Sequence, residues 1–328
     1  MSDTSGKRRQ DADKRNDSEV VVDSEEHDAN EKIEVKEENL PSPAAAIHEQ
    51  IREEGEKELE RDGQALFWSA VAAGLSMGAS LMAKGILHAR LPEGAAGFFI
   101  ENLGYTFGFI IVIMAKQQLF TENTLTAVLP IMHKPSRHNF IILLRLWLVV
   151  LAGNLAGTAA VAFGFLHMPI FNGQTREAFV SISQAIMANP PADMFANGII
   201  AGWIIASMVW MLPQAGNAKL LVIALMTYLV GIGDLTHIVV GSVEIFYLVF
   251  NGSIPWYEFF YPFAIPTLAG NIVGGTFIFA LLSHAQIRND LSSQRKQDAK
   301  KQGKAGKSQD DQAPRDGNES AGEDTKEA

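Results

Sequence analysis

Cysteine is missing from all 328 residues, which excludes a disulfide framework, a thiolate nucleophile and any thiolate metal site. Charge is nearly missing from the middle of the chain: residues 64–284 hold 8 acids and 8 bases, against 20 acids and 10 bases in residues 1–63 and 9 of each in residues 285–328. The net charge of −10 therefore sits in the N-terminal segment. It describes a solvated tail and argues against a nucleic-acid partner. No apolar run of signal length occurs in the first 60 residues, so a cleavable leader is not expected. His133, His138 and His167 fall in loops, too scattered for a ligand cluster, and neither a nucleotide-binding glycine loop nor an ordered nucleophile–base pair is present. No metal, no cofactor and no enzymatic activity are expected.

What remains is a very apolar centre between charged ends, the composition of an all-α membrane protein. Residues 1–42, rich in Asp, Glu, Lys and Ser, bury too little apolar area to offset chain entropy and are expected to be a disordered acidic tail on the cytoplasmic side. From 43 to 63 the pattern changes. Ser42 can cap, Pro43 suits a first helical turn, and Ile47, Ile51 and Leu59 recur on one face. This predicts an amphipathic helix lying on the membrane or on the protein's own cytoplasmic face, or else a solvated helix leading into the first span. Residues 64–284 form the spanning domain, and residues 285–328 a second charged, disordered cytoplasmic tail.

Six apolar segments each approach the ~20 residues that a bilayer-crossing helix needs: Leu66–His88, Gly97–Met132, Phe140–Leu166, Met194–Leu212, Leu220–Phe250 and Phe259–His284. The second and fifth are too long for simple spans. The fifth carries YLVGIGDLTHIVVGSVE, Tyr228 to Glu244, in which Gly231, Gly233, Asp234, Thr236 and His237 interrupt apolar helix-like sequence. Irregular backbone at membrane depth is tolerated only where protein buries it or it lines a wet cavity, so the stretch predicts a broken helix on a solute path. An even number of spans puts both termini on one side. Lys57, Arg61, Lys134, Arg137, Lys219, Arg288, Arg295 and Lys296 assign that side to the cytoplasm, and Trp68, Trp256, Tyr257 and Tyr261 stand at span ends as interface anchors.

An internal repeat is the most specific signal. LAGNLAGT (Leu151–Thr158) returns as LAGNIVGGT (Leu268–Thr276) at an offset of 117, and Thr121 precedes His237 by 116. Three spans per copy is an odd number, so the second copy is expected to lie inverted, with the broken second and fifth helices meeting near the midplane. Gly74, Gly78, Gly153, Gly157, Gly270 and Gly274 leave small faces for close helix approach. Asn154 and Asn271 are costly facing lipid and are expected to bond backbone groups freed by the breaks. Glu244, seven residues after His237, is read either as a proton relay or as structural glue paired with Arg145 or Lys116.

LFTENT at Leu119–Thr124, the His-bearing break at Gly231–His237 and GNIVGG at Gly270–Gly275 resemble the formate/nitrite transporter family over roughly residues 43–288. The whole sequence looks nearest an inner-membrane branch of that family. The resemblance implies a homopentamer of six-span, aquaporin-like protomers in the bacterial inner membrane, each with a pore for small monovalent anions such as formate, nitrite or hydrosulfide. By position, Thr121 matches the family's pore threonine and His237 its central histidine. Leu119, Phe120 and Leu235 fall at its cytoplasmic-side constriction, and Tyr105 and Phe109 near the other apolar gate. Departures are Lys116, Gln117 and Gln118 before the Leu-Phe-Thr, Thr236 where the family has Glu, and no Lys between Lys134 and Lys219, where the family has a vestibule lysine.

A bare anion crossing apolar rings loses hydration at a cost of several kcal/mol, and the neutral acid loses far less. Histidine, with an unperturbed pKa of about 6.5, is the side chain best suited to lend a hydrogen bond or a proton between two gates. His237, with Thr121 and Thr236, is therefore the expected pore site. Two other readings keep the fold: a scaffold or sensor that has lost transport, and a neutral-solute channel, for which Asn-Pro-Ala boxes would stand at the breaks instead of LFTEN and GDLTH.

Overall fold

The computed structural model describes residues 43–289; the acidic tail and residues 290–328 of the other tail lie outside them. Among the described residues every regular element is helical. Helix α1, Pro43–Glu60, is followed by α2, Gly63–His88, which Asp62 caps by accepting from the amides of Gln64 and Ala65. Short helices α3 (Ala95–Glu101), α4 (Thr106–Met114), α5 (Phe120–Asn123) and α6 (Val128–His133) follow. Then come α7 (Arg137–His167), α8 (Gly173–Met187), α9 (Pro191–Met211), α10 (Lys219–Ile232), α11 (Ile238–Phe250) and α12 (Ile265–Ile272). α12 is the middle of a longer helical span, Phe259–Asn289, with π-helical stretches on either side of it. The chain thus stays helical five residues beyond the boundary expected at 284.

Among the described residues five helices are long and apolar enough to cross a membrane: Gly63–His88, Ala95–Met114, Arg137–His167, Pro191–Gln214 and Phe259–Asn289. At ~1.5 Å per residue each reaches the ~30 Å of a hydrocarbon core. α10 and α11 are shorter apolar pieces separated by residues 233–237, and neither crosses such a core alone. A matching interruption at residues 115–119 separates α4 from α5. Side chains such as Trp68, Leu148, Leu282 and Ile141 are more than 60% exposed in the single chain, which leaves an apolar outer face for lipid or for neighbouring copies.

The helix pairs that set the frame are glycine crossings. A Cβ on Gly74 of α2 would lie 2.2 Å from the Asn154 carbonyl of α7, and Gly157 is equally tight against the Val71 carbonyl. Gly202 of α9 stands in the same relation to Asn271, its Cβ position 2.3 Å from that carbonyl. Gly78, expected in the same groove as Gly74, meets the Val161 side chain of α7, its Cβ position 2.5 Å from a methyl group.

Helix α8 has no counterpart in the sequence reading. Asn172 caps it, and Thr175, Ala178, Phe179, Ile182 and Ser183 are buried at helical spacing. Phe179 presses its ring where a side chain on Gly85 of α2 would stand, and it stacks edge-on against Tyr247 of α11.

α1 docks on the bundle through Ala45, His48, Ile51 and Gly55, all buried. Gly55 is required there, because a Cβ would come 2.0 Å from the Thr126 carbonyl. His48 reaches His284 of the last helix at 3.3 Å and meets the Trp210 ring edge-on. Burial, reinforced by His284, lowers the His48 pKa from 6.5 to about 4. The docked imidazole is neutral, so its contribution is complete above pH 6.5. It declines as pH falls toward 4, where the undocked ring takes a proton that the docked one refuses. Hydrogen exchange of α1, corrected for intrinsic rates, is expected to lose protection between pH 7 and pH 4.5, and His48→Phe to flatten that dependence. Equal protection of the wild type at both pH values would refute it.

Candidate functional site

Where an apolar helix stops inside the bundle, its orphan backbone groups must find partners. At the first break the Phe120 amide donates to Asn154 Oδ1 at 2.9 Å, while Asn154 Nδ2 donates to the carbonyls of Gln118 and Ala70. At the second, the Ile238 amide donates to Asn271 Oδ1 at 2.9 Å, and Asn271 Nδ2 donates to the carbonyls of Thr236 and Gly198. The turns correspond too. Lys116 (φ 51°) and Asp234 (φ 48°) are the two non-glycine residues with positive φ among the described residues, each followed by an amide bonded back to a valine, Gln117 to Val112 and Leu235 to Val230.

These pairs stand 118 residues apart, so the position equivalent to His237 is Leu119; each is the residue immediately before its short helix. Thr121 is therefore not the counterpart of His237, as the spacing of 116 suggested. The two residues instead touch: Thr121 Oγ1 and His237 Nε2 are 2.8 Å apart, both side chains buried. His237 Nδ1 accepts from the Val240 amide at 3.3 Å. That leaves Nε2 to carry the hydrogen and donate it to Thr121 Oγ1, freeing the threonine hydroxyl to donate elsewhere. Phe109 lies edge-on to the imidazole, ring centres 5.1 Å apart, and Tyr105 packs on Phe109 at 5.5 Å. Thr236 spends its hydroxyl on the Met194 carbonyl at 2.6 Å.

Two cavities approach this point from opposite directions. One, of about 300 Å³, is lined by Lys84, Glu101, Tyr105, Asp234, His237 and Glu244, with Leu235 and Thr236 also on its wall. The other, of about 430 Å³, lies under α1 and is lined by Glu54, Lys57, Lys116, Gln118, Glu122 and Lys219 among others. Phe109, Leu119 and Phe120 belong to neither wall, and each is at most 2% exposed. Phe109 packs on the imidazole, and Leu119 and Phe120 stand at the start of α5. Phe120 rests on the Trp147 ring, and the Trp147 indole N–H donates to the Asn123 carbonyl, fixing α5 to α7.

Three expectations change. Leu235 does not join Leu119 and Phe120, because the turn at Asp234 carries it to the histidine cavity beside Tyr105. Glu244 pairs with neither Arg145 nor Lys116: Arg145 lies against Gly63 and Lys116 lines the α1 cavity, while Glu244 faces the histidine cavity. The third is the missing cavity lysine, since Lys84 of α2 lines that same wall. Lys84 reads in sequence as a span-end lysine reaching for water. Its spacing to Met77, Leu81 and Gly85 on the packed face of α2 was the available signal.

The formate/nitrite transporter family matches residues 45–285. The inner membrane protein YfdC of Escherichia coli (strain K12) is 64% identical over 282 residues, covering 86% of this chain and 91% of that protein. Among solved structures, a pentameric formate channel with formate bound superposes with a TM-score of 0.61 at 21% identity, covering 69% of this chain and 97% of that one. An FNT family ion channel superposes at 0.63 and 19% identity, covering 72% and 96%. At those identities the superpositions establish a shared fold.

Thr121→Val keeps the shape and removes the acceptor of the His237 N–H. Leaving that buried donor unpaired is expected to cost about 1–3 kcal/mol, read as a lowered melting temperature in detergent. Thr121→Ser should restore most of it. A Val variant as stable as the wild type would show that the bond carries no stability.

Proposed function

As the chain belongs to the formate/nitrite transporter family, we propose that it conducts small monovalent weak-acid anions of the formate, nitrite or hydrosulfide type across the bacterial inner membrane. In this reading it is a homopentamer whose protomers each contain a pore. Six spans are arranged as two inverted three-helix halves, with α10 and α11 together making the fifth and both termini in the cytoplasm. The observation that carries the reading is the Thr121 Oγ1 to His237 Nε2 contact, which joins the two breaks between two cavities.

In this reading Phe109, Leu119 and Phe120, all buried and on neither cavity wall, form an apolar septum between the cavities, and it sets the energetic problem. An ion entering it trades water for hydrocarbon at a cost of several kcal/mol, whereas a neutral weak acid or a hydrogen-bonded anion loses less. The Thr121 hydroxyl, polarised by the His237 N–H behind it, offers a donor at the edge of that septum. Lys84 supplies positive charge at the histidine cavity, the role for which the sequence held no candidate between Lys134 and Lys219.

In proteoliposomes the protein should take up formate, nitrite or hydrosulfide faster than glycerol. His237→Ala, which removes the donor behind Thr121, should slow uptake about tenfold, the equivalent of one lost hydrogen bond of ~1.4 kcal/mol. His237→Asn, which still donates but does not titrate, should keep more of the rate. Wild-type vesicles that pass none of these acids while folding normally would favour the non-conducting scaffold, and vesicles that pass glycerol equally well would favour a neutral-solute channel.

Native mass spectrometry in mild detergents should give five chains, and a reporter fused at Thr175 should signal opposite to reporters on the tails. A stable monomer or tetramer would count against the pentamer, and a cytoplasmic signal at Thr175 against the inverted halves.

A further inference from the structure

The histidine cavity contains more acid than a simple anion vestibule should. Glu101, Asp234 and Glu244 all line it, against Lys84 and His88. Glu101 is already engaged, its carboxylate 2.7 Å from His88 Nδ1. Asp234 projects from the positive-φ turn of the break. Glu244 differs from both. It is 3% exposed, its Oε2 lies beside Gly241 on the same face of α11, and among the described residues no hydrogen bond or ion pair engages its carboxyl. A second polar group is in the same condition: the Tyr105 hydroxyl is buried on that wall with no hydrogen-bond partner among the described residues. Two polar side chains, each more than nine-tenths buried and both on one cavity, have contact capacity left for something that enters.

His237 does not have that capacity in the conformation described. Its Nδ1 accepts from the Val240 amide and its Nε2 faces Thr121, so giving up a proton means breaking the bond that joins the two breaks. Other groups facing Glu244 are Lys84 from α2, Tyr105 ahead of α4, Asp234 in the break and His237 at the start of its own helix. α8 contributes Ser181 and Ile182, and the last helix contributes Phe263, none of them titratable. A buried carboxylate with no base bonded to it is costly, and a weak-acid anion drawn in beside it by Lys84 raises the cost for both.

We propose that Glu244 is the proton-carrying group of this cavity, protonating a weak-acid anion before it crosses the septum. The O–H bond of the Glu244 carboxylic acid breaks, its electron pair stays on the Glu244 oxygen, and the proton forms a new O–H bond on the permeant carboxylate. The permeant leaves as the neutral acid, and Glu244 regains its proton from the aqueous phase through the cavity. Tyr105, one cavity wall away, donates its hydroxyl to the anion during the exchange. This rests on the transport reading above and assigns the proton to a residue other than the central histidine.

Two measurements on the full-length assembled protein separate the ideas. Formate flux in proteoliposomes at pH 5–8 should be strongly pH-dependent for the wild type. Glu244→Gln, which matches the shape but holds no exchangeable acid proton, should cut the acidic-pH rate about tenfold and flatten the profile, and Glu244→Asp should recover part of the slope. Infrared difference spectra across the same range, which need no transport, should show the band of a protonated carboxyl that titrates in the wild type and vanishes in Glu244→Gln. An unchanged flux profile in Glu244→Gln overturns the proposal, as does an infrared band that survives the substitution. A titrating Glu244 band in a protein that passes no weak acid would sustain the proton site and defeat the transport reading. Should Glu244→Gln fail to assemble, Glu244→Asp must shift both the band and the flux profile, and an unshifted pair overturns the assignment.

Discussion

Two asparagines decide whether this fold exists. Interrupting an apolar helix exposes amide and carbonyl groups in a place where neither water nor lipid can satisfy them, at a cost of about 1–3 kcal/mol for each group left bare. Asn154 and Asn271 each answer two of those groups at once, accepting from the first amide of the short helix and donating to a carbonyl of the loop before it, and each donates also to a carbonyl of a neighbouring helix. Because one side chain holds the break, the loop before it and a neighbouring helix, the break is as rigid as the crossings on either side. The glycines around the asparagines follow from the same demand. A donor as short as an Asn amide reaches a neighbouring backbone only if the helices nearly touch, as Gly74 and Gly202 allow.

Much of this was legible because membrane burial leaves few ways to hide a polar residue. Gly, Asp, Thr and His between apolar runs marked the second break, and the repeated LAGN marked the residues that hold both breaks. The sequence was less informative about facing. Lys84 and Glu244 are single charges in apolar helices, and whether such a charge turns to lipid, to a partner or to a cavity depends on helix rotation, which packing sets. α8 escaped for a related reason. Its buried stripe is Thr175, Ala178, Phe179, Ile182 and Ser183, two of them hydroxyl residues, in a segment whose average polarity reads as loop. The first break also spans less apolar sequence than its partner, since Lys116, Gln117 and Gln118 occupy the turn that Asp234, Leu235 and Thr236 occupy in the other half.

The repeat itself invited one misalignment, and its correction is informative. Sequence spacing set Thr121 against His237 as equivalents, whereas the backbone bonds set Leu119 against His237 and Phe120 against Ile238. A duplicated scaffold therefore presents unlike residues at like positions: a buried leucine ahead of the helix at one break, an imidazole at the other. Thr121, the second residue of its own short helix, crosses the pseudo-symmetry to reach the histidine.

That asymmetry explains why the two cavities differ although their walls are built alike. The α1 cavity mixes Lys57, Lys116 and Lys219 with Glu54, Glu58 and the more deeply set Glu122, charges that except for Glu122 stand at solvated or span-end positions where pairing is loose and water is near. The histidine cavity holds the buried Glu244 carboxyl and the Tyr105 hydroxyl, and among the described residues that hydroxyl has no hydrogen-bond partner. In the transport reading, a permeant passing from one to the other meets a change in what its surroundings can exchange with it. On the α1 side it finds mostly screened ions; on the histidine side it finds a buried carboxyl and a buried hydroxyl on one wall. In the transport reading, coupling between proton and permeant belongs on the second side, because there a carboxyl and a hydroxyl share one wall unbonded among the described residues, whereas the unbonded buried atom on the α1 side, Gln117 Oε1, carries no proton to give.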